Sequence, residues 1–269
     1  MRFRINLRKE GGPGYLPINY QYELSSAIYK TIDRSNSQFS QFLHDQGYVG
    51  FGKKFRLFTF SRLHFQNYRI IKESGRIEHS GEAAAFEICF LVDKAAEEFI
   101  KGLFMDQVFV LGDKISKVTY AVVGIEAVSP PLFQEVMNYR CLSPIFIKKK
   151  RPEGGEDYLH PEDRGYCVMM VQNLLSKAEA FQNSISGQEH GKINIPDFEF
   201  KVTSKVYKNG VKIKQLTEQE TMLIGYMYEF KFRAPVELQE IGYYAGFGQL
   251  GSQGFGCVGV KAGKNNENV

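Results

Sequence analysis

The apolar residues of this chain change period in the same order twice, and that ordering limits the folds open to it. Arg2-Phe3-Arg4-Ile5-Asn6-Leu7 alternates with period two, as a half-buried strand does. From about residue 19 to 34 the spacing turns helical, through Tyr22, Leu24, Ile28, Tyr29 and Ile32. A short second helix is expected from Ser37 to Asp45, stopped by Gly47. Strands are expected over 55–63 and 86–92, a helix from Asp93 to Leu103, and strands over 108–111 and 117–128. Residues 1–128 thus read β-α-β-β-α-β. Residues 129–269 open on the turn Ser129-Pro130-Pro131 and run through the same order. That half offers a strand over 140–147, a helix over 163–181 and a hairpin over 198–216 folded at Asn209-Gly210. A strand over 223–232, a helix from Pro235 to about Tyr244 and a last strand over 255–260 complete it. The expected class is α+β, with two tandem ferredoxin-like (RRM-like) domains. Segments 13–17, 148–155 and 183–191 read as loops.

The last strand is reached through a glycine-dense stretch, Gly246-Phe247-Gly248-Gln249-Leu250-Gly251-Ser252-Gln253-Gly254-Phe255-Gly256. Such density asks for positive φ or a close backbone approach, and free N–H groups in such a loop suit anionic oxygen. Gly246 to Gly251 also fits the dinucleotide fingerprint, but that motif opens a βαβ unit of about 30 residues. Only 18 residues follow Gly251, and none of them reads as a helix. The loop therefore closes a domain here.

Net charge is only +4, with pI about 8.7, yet the cations cluster. Lys148 to Arg151 is an unbroken run, and Lys53, Lys54, Arg56, Arg62 and Arg69 gather early in the chain. With a two-residue turn at Asn209-Gly210, one hairpin face carries Lys201, Lys205, Tyr207, Lys212 and Lys214. Ammonium groups so placed repel one another, and a polyanion lying on them would relieve that repulsion. A soluble edge protected by lysine explains the same pattern. Cys89, Cys141, Cys167 and Cys257 are too scattered in sequence for a metal knuckle or a disulfide framework. Three of them sit in apolar strings as small hydrophobes. No apolar run approaches the ~20 residues of a membrane helix. No signal-peptide core follows Met1, so a cytoplasmic protein without a membrane partner is expected.

His64, His79, His160 and His190 lie in polar segments and read as surface residues. His44 differs, because it ends a short helix just ahead of Lys53, Lys54 and Arg56. It reads either as a C-capping residue or as a proton donor or acceptor. No paired carboxylates and no metal-ligand spacing stand out. A nucleic-acid enzyme of this composition is expected to work without metal or cofactor. RNA permits that, since its own 2′-hydroxyl can serve as nucleophile.

These residues resemble those of the CRISPR-associated endoribonucleases that cut precursor guide RNA within each repeat, members of the RAMP superfamily. The N-terminal strand, Ser26-Ala27-Ile28-Tyr29, Phe42-Leu43-His44, Leu57-Phe58-Thr59-Phe60-Ser61, Gly102-Leu103 and the closing glycine loop occur in that family's order. The resemblance implies a metal-independent cut in which a 2′-hydroxyl attacks, leaving a 2′,3′-cyclic phosphate and a 5′-hydroxyl. It implies that Tyr29 helps activate the 2′-hydroxyl, that His44 protonates the leaving oxygen, and that a cation stabilises the phosphorane. Lys54 is preferred for the cation, with Arg56 next and Lys53 competing. The expected RNA contacts are Arg56, Lys201, Lys205, Lys212, Gly246, Gly248, Gly251, Gly254 and Gly256. CRISPR repeat RNA is the expected partner, with other CRISPR-associated subunits and a second copy of the chain left open. The alternatives are a catalytically silent RAMP subunit that only binds RNA and, more weakly, a nucleotide-binding enzyme.

Overall fold

The computed structural model describes residues 1–186, 197–213 and 218–261. In chain order its elements begin with β1 (Arg2–Lys9), β2 (Gly14–Pro17), α1 (Gln21–Ser35) and α2 (Ser37–Gln41). After a π-helical turn (Phe42–Gln46) come β3 (Tyr48–Gly50), β4 (Lys53–Phe55), β5 (Phe58–Phe60) and β6 (His64–Phe65). Next are β7 (Tyr68–Ile71), β8 (Arg76–His79), β9 (Ala83–Phe90), α3 (Asp93–Met105), β10 (Val108–Gly112) and β11 (Lys117–Ala127). Then follow β12 (Val136–Cys141), β13 (Lys148–Lys150), β14 (Glu156–Tyr158), α4 (Tyr166–Ser186) and β15 (Glu199–Val202). Finally there are β16 (Tyr207–Ile213), β17 (Thr221–Met227), β18 (Glu229–Arg233), α5 (Val236–Ala245) and β19 (Val258–Val260).

Two antiparallel sheets organise these elements. The first runs β10-β11-β1-β9-β5, with β6 also on β9. Without the β10 edge, that is the 4-1-3-2 order of a ferredoxin-like unit whose helices are α1 and α3. The second runs β15-β18-β12-β19, the same order read from the other edge, with α4 and α5 as its helices. Each sheet has its own apolar core. Ile5, Ile28, Phe58, Phe86, Phe90 and Phe99 fill one, and Tyr139, Met170, Leu174, Phe230, Phe232 and Phe247 fill the other. The fold is thus the expected pair of ferredoxin-like units, and β1, α1 and α3 stand where the sequence puts them. The strand expected over 140–147 instead lies at 136–141, and the one expected over 223–232 is split into β17 and β18, which pair with different strands.

Several local expectations are corrected. Asn209-Gly210 does not turn: β16 runs straight through it and pairs with β17, Gly210 opposite Ile224. The turn signal is overridden because Val211 is buried from that strand, packing with Leu223 and Phe255. The lysine face built on that turn therefore does not exist. Lys201 lies in β15 opposite Lys231, Lys205 lies outside the strands over the Tyr207 ring, and Lys212 is paired to Glu220 at 2.8 Å. Lys214 lies outside the described residues, as do His190 and most of the 183–191 segment. Gly14–Pro17 is not loop but a strand on β8, and Lys148–Lys150 pairs with Glu156–Tyr158. Both pairings join segments too short to show a period of their own.

His79 is also not a surface residue. It is fully buried, its Nδ1 lies 3.0 Å from the Tyr120 hydroxyl, and its Nε2 has no partner. Burial, with the Lys9 ammonium nearby, holds its pKa below the usual histidine value. The folded state therefore resists the proton that the unfolded chain accepts near pH 6.5. His79 accordingly contributes stability above that pH which is lost as pH falls below it. Denaturant unfolding of wild type and His79→Leu from pH 8 to 5.5 should show the wild-type advantage shrinking on acidification. An advantage independent of pH would contradict this.

Candidate active site

The glycine loop sits where the two sheets meet. Thr59 of β5 donates from Oγ1 to the Phe255 carbonyl at 2.8 Å, and the Arg2 guanidinium reaches the Val258 carbonyl at the same distance. Phe247 is buried between the rings of Tyr139 and Phe230, at 5.0 and 5.3 Å, and Phe255 lies 5.4 Å from Phe146. Each Gly-Phe-Gly triplet thus drops an aromatic anchor inward, and the flanking glycines let the backbone close over it. Gly256 has φ +78°, and a Cβ there would run into the Phe247 carbonyl. Gly248, with φ +80°, would put a Cβ 2.7 Å from the Phe146 carbonyl. Gly246, Gly248, Gly254 and Gly256 are buried behind the groove wall, and of the five only Gly251 lines the groove.

That groove, about 640 Å³, lies between α1, the π-helical turn, β4, α4 and the glycine loop. On one side stand Ser25, Tyr29, His44, Lys53, Lys54 and Arg56, and on the other Lys148, Asn173, Gln249 and Ser252. Tyr29 comes from α1, whose Leu24, Ile28 and Ile32 are fully buried, so the tyrosine stands at the edge of that apolar stripe. His44 is brought opposite it by the π-helical turn, ended by Gly47 at φ +63°. Single π turns often mark functional positions, because the extra residue re-aims a side chain. The two rings lie edge to face, 6.2 Å apart at an interplanar angle of 81°.

Each member of this pair is held by neighbours. Asp45 accepts from His44 Nδ1 at 2.7 Å, and this bond holds the Asp45 carboxyl below its usual range. The His44 side chain is otherwise open, 77% exposed. Burial raises the Tyr29 phenol above its ordinary value, against hydrogen bonds from Ser252 and Arg56. The Ser252 carbonyl in turn accepts from Ser25 Oγ at 2.6 Å. Arg56 also donates to the His44 carbonyl, so it touches both partners, whereas Lys54 donates to the Asp45 carbonyl at 3.0 Å. Lys53 lines the groove as well. The sequence-derived trio of Tyr29, His44 and a β4 cation is therefore assembled in one place. Lys201, Lys205 and Lys212 are not among the groove-lining residues.

Sequence reasoning missed Ser25, Ser252 and Lys177. Lys177 is 3% exposed, and burial pushes its pKa down to about 7. Its Nζ donates to the carbonyls of Ala245, Gly246 and Gly248 at 3.1, 2.5 and 2.8 Å, bonds that favour the charged form. The available signal was a lysine seven residues from Met170, on a helix face otherwise made of Met170, Leu174 and Ala178. Among the described residues, no three His, Cys, Asp or Glu side chains are grouped to hold a metal ion, and no helix is long and apolar enough to cross a membrane.

Gly256→Ala should cost about 1–3 kcal/mol from backbone strain alone, with the carbonyl clash adding to it. Denaturant midpoints measure this, and an unchanged midpoint would show that the loop is not packed as described.

Comparison with known proteins finds two family models side by side. "CRISPR-associated protein Cas6, N-terminal" matches residues 15–125, and "CRISPR associated protein Cas6, C-terminal" matches residues 128–260. The chain is 29% identical over 271 residues to CRISPR-associated endoribonuclease Cas6 1 of Methanocaldococcus jannaschii, covering 100% of this chain and 96% of that one. It is 26% identical over 271 residues to CRISPR-associated endoribonuclease Cas6 of Pyrococcus furiosus, covering 99% and 92%. Among solved structures, a Cas6-related protein from Pyrococcus furiosus matches with a TM-score of 0.79 at 22% identity, covering 98% of this chain and 99% of that one. A RAMP protein described as binding different RNA substrates matches with a TM-score of 0.77 at 20% identity, covering 97% and 100%. At these identities the two structures speak for the fold.

Proposed function

The chain belongs to the Cas6 family of CRISPR-associated endoribonucleases, and from that premise we propose that it cuts CRISPR repeat RNA without a metal ion, by attack of a 2′-hydroxyl on the neighbouring phosphate. One observation carries this reading: Tyr29 and His44, from separate segments, face each other in a groove flanked by Lys53, Lys54, Arg56 and Lys148. A polyanion is the natural occupant of a groove so charged.

The chemistry follows from the groups present. As the 2′-oxygen attacks phosphorus its proton passes to water in the open groove, and the bond to the 5′-oxygen breaks as that oxygen takes up a proton. The products carry a 2′,3′-cyclic phosphate and a 5′-hydroxyl. Burial keeps the Tyr29 phenol protonated at neutral pH, so it acts as a hydrogen-bonding partner that aligns the 2′-hydroxyl and not as a phenolate base. His44, oriented through Nδ1 by Asp45, presents Nε2 to the leaving 5′-oxygen and supplies its proton. Arg56 and Lys54 stabilise the charge gathered on the phosphorane oxygens. Arg56 has the stronger claim, since it already bonds Tyr29 and the His44 backbone. Residues 1–128 form the unit bearing this chemistry. Residues 129–269 form the unit whose glycine loop and Lys148 close the groove and hold the strand.

His44→Ala should slow cleavage of a repeat RNA by about 10²–10⁴-fold with binding retained, the size of a lost general acid. Both proteins are assayed in EDTA. Equal rates would remove His44 from the mechanism, wild-type activity abolished by EDTA would end the metal-free reading, and RNA held but left whole would make the protein a silent binder.

A further inference from the structure

A lysine without a carboxylate partner is an expensive thing to bury. Lys177 is such a residue: 3% exposed on α4, at the floor of the groove beside Asn173, and with no ion pair among the described residues. A methionine would fill the same space at less cost. What the ammonium adds is three donors, and all three are used on carbonyls that converge at the end of α5. The last carbonyls of a helix have no partner within it and carry partial negative charge. Ala245 is the last residue of α5 and Gly246 is its C-cap, so the ammonium caps α5 from a neighbouring helix. Its third acceptor, Gly248, lies beyond the helix, inside the glycine loop.

From that fixed end the loop turns back into the groove. Four residues after Gly248, Ser252 meets the catalytic side: its carbonyl accepts from Ser25, about one helical turn before Tyr29 on α1, and its side chain stands with Tyr29 in the groove wall, near enough to act on the phenol. We propose that Lys177 is a positioning residue for the reaction: its ammonium anchors the glycine loop and thereby holds Ser252 against the Tyr29 hydroxyl. Lys177 needs no contact with RNA for this. The geometry gives the buried charge a task that hydrophobic packing cannot perform, fixing three carbonyls of one turn to a single point. The inference rests on the ribonuclease reading above for its rate effect, and stands on the structure alone for the anchoring itself.

Single-turnover cleavage and RNA affinity, measured for wild type, Lys177→Met, Ser252→Ala and the double variant, test it. Lys177→Met should lose on the order of 10²-fold in rate, the size of a small misplacement of a reacting group, while affinity stays within about two-fold. The double variant should be no slower than the slower single variant, because both changes act through the same hydroxyl. Full wild-type rate in folded Lys177→Met, or losses that multiply in the double variant, would overturn the proposal. Hydrogen exchange of the backbone amides over 247–254 supplies a readout independent of activity. Faster exchange in Lys177→Met supports the anchor, and unchanged exchange overturns it. That reading still decides the matter if wild type leaves RNA whole, a result that would sink only the ribonuclease assignment. Should Lys177→Met fail to fold, Lys177→Gln takes its place with the same two readings.

Discussion

Close packing of the glycine loop against the backbone of both sheets is the constraint on which the rest depends. Phe247 and Phe255 anchor it in the apolar interior of the second unit, and Thr59 and Arg2 tie the same stretch and its continuation to the first. A Cβ at Gly251 would stand 2.7 Å from the Phe58 carbonyl, so the loop and β5 approach as closely as backbones can. Loosening that contact would disturb the groove along the junction, which Arg2 over the Tyr243 ring and the cluster of Leu57, Ala180 and Ala245 also hold. The glycines are there so that two aromatic side chains and a strand can meet. Any effect that Gly246, Gly248, Gly254 and Gly256 exert on RNA passes through the shape they impose.

The fold was legible because it is written in long, repeated patterns. β1 alternates cleanly and α1 keeps one apolar stripe, and both stand where the sequence puts them. Short elements were not legible. Asn209-Gly210 carries the strongest local turn signal in the chain, yet pairing along all of β16 outweighs it once Val211 can be buried. His79 sits in a polar-looking string, but β8 is covered on the side it faces and Tyr120 waits for its ring nitrogen. Burial of this kind depends on which strand lies alongside, and a single segment does not carry that information.

The candidate site was half legible. Tyr29, His44 and the β4 cations were found through resemblance, and they converge in space although the segments bearing them are distinct. Ser25 and Ser252 could not be found, since serines on a helix and in a glycine loop carry no pattern until the loop closes on α1. Lys177 left a trace, as a charge on an apolar face, but only coordinates show that its partners are the carbonyls at the end of α5. Basic runs were the poorest guide. Lys212, Arg151 and Lys148 are paired with Glu220, Asp157 and Glu156, and of these only Lys148, with Lys53 from a separate run, lines the groove.

The central claim is that the RNA supplies its own nucleophile inside this groove. The most direct measurement is cleavage of two repeat RNAs differing by one atom, the 2′-oxygen of the nucleotide just upstream of the cut. The account predicts that the ribose substrate yields a 2′,3′-cyclic phosphate and a 5′-hydroxyl while its 2′-deoxy counterpart binds and stays intact. Cleavage of the deoxy substrate at the same position would contradict it.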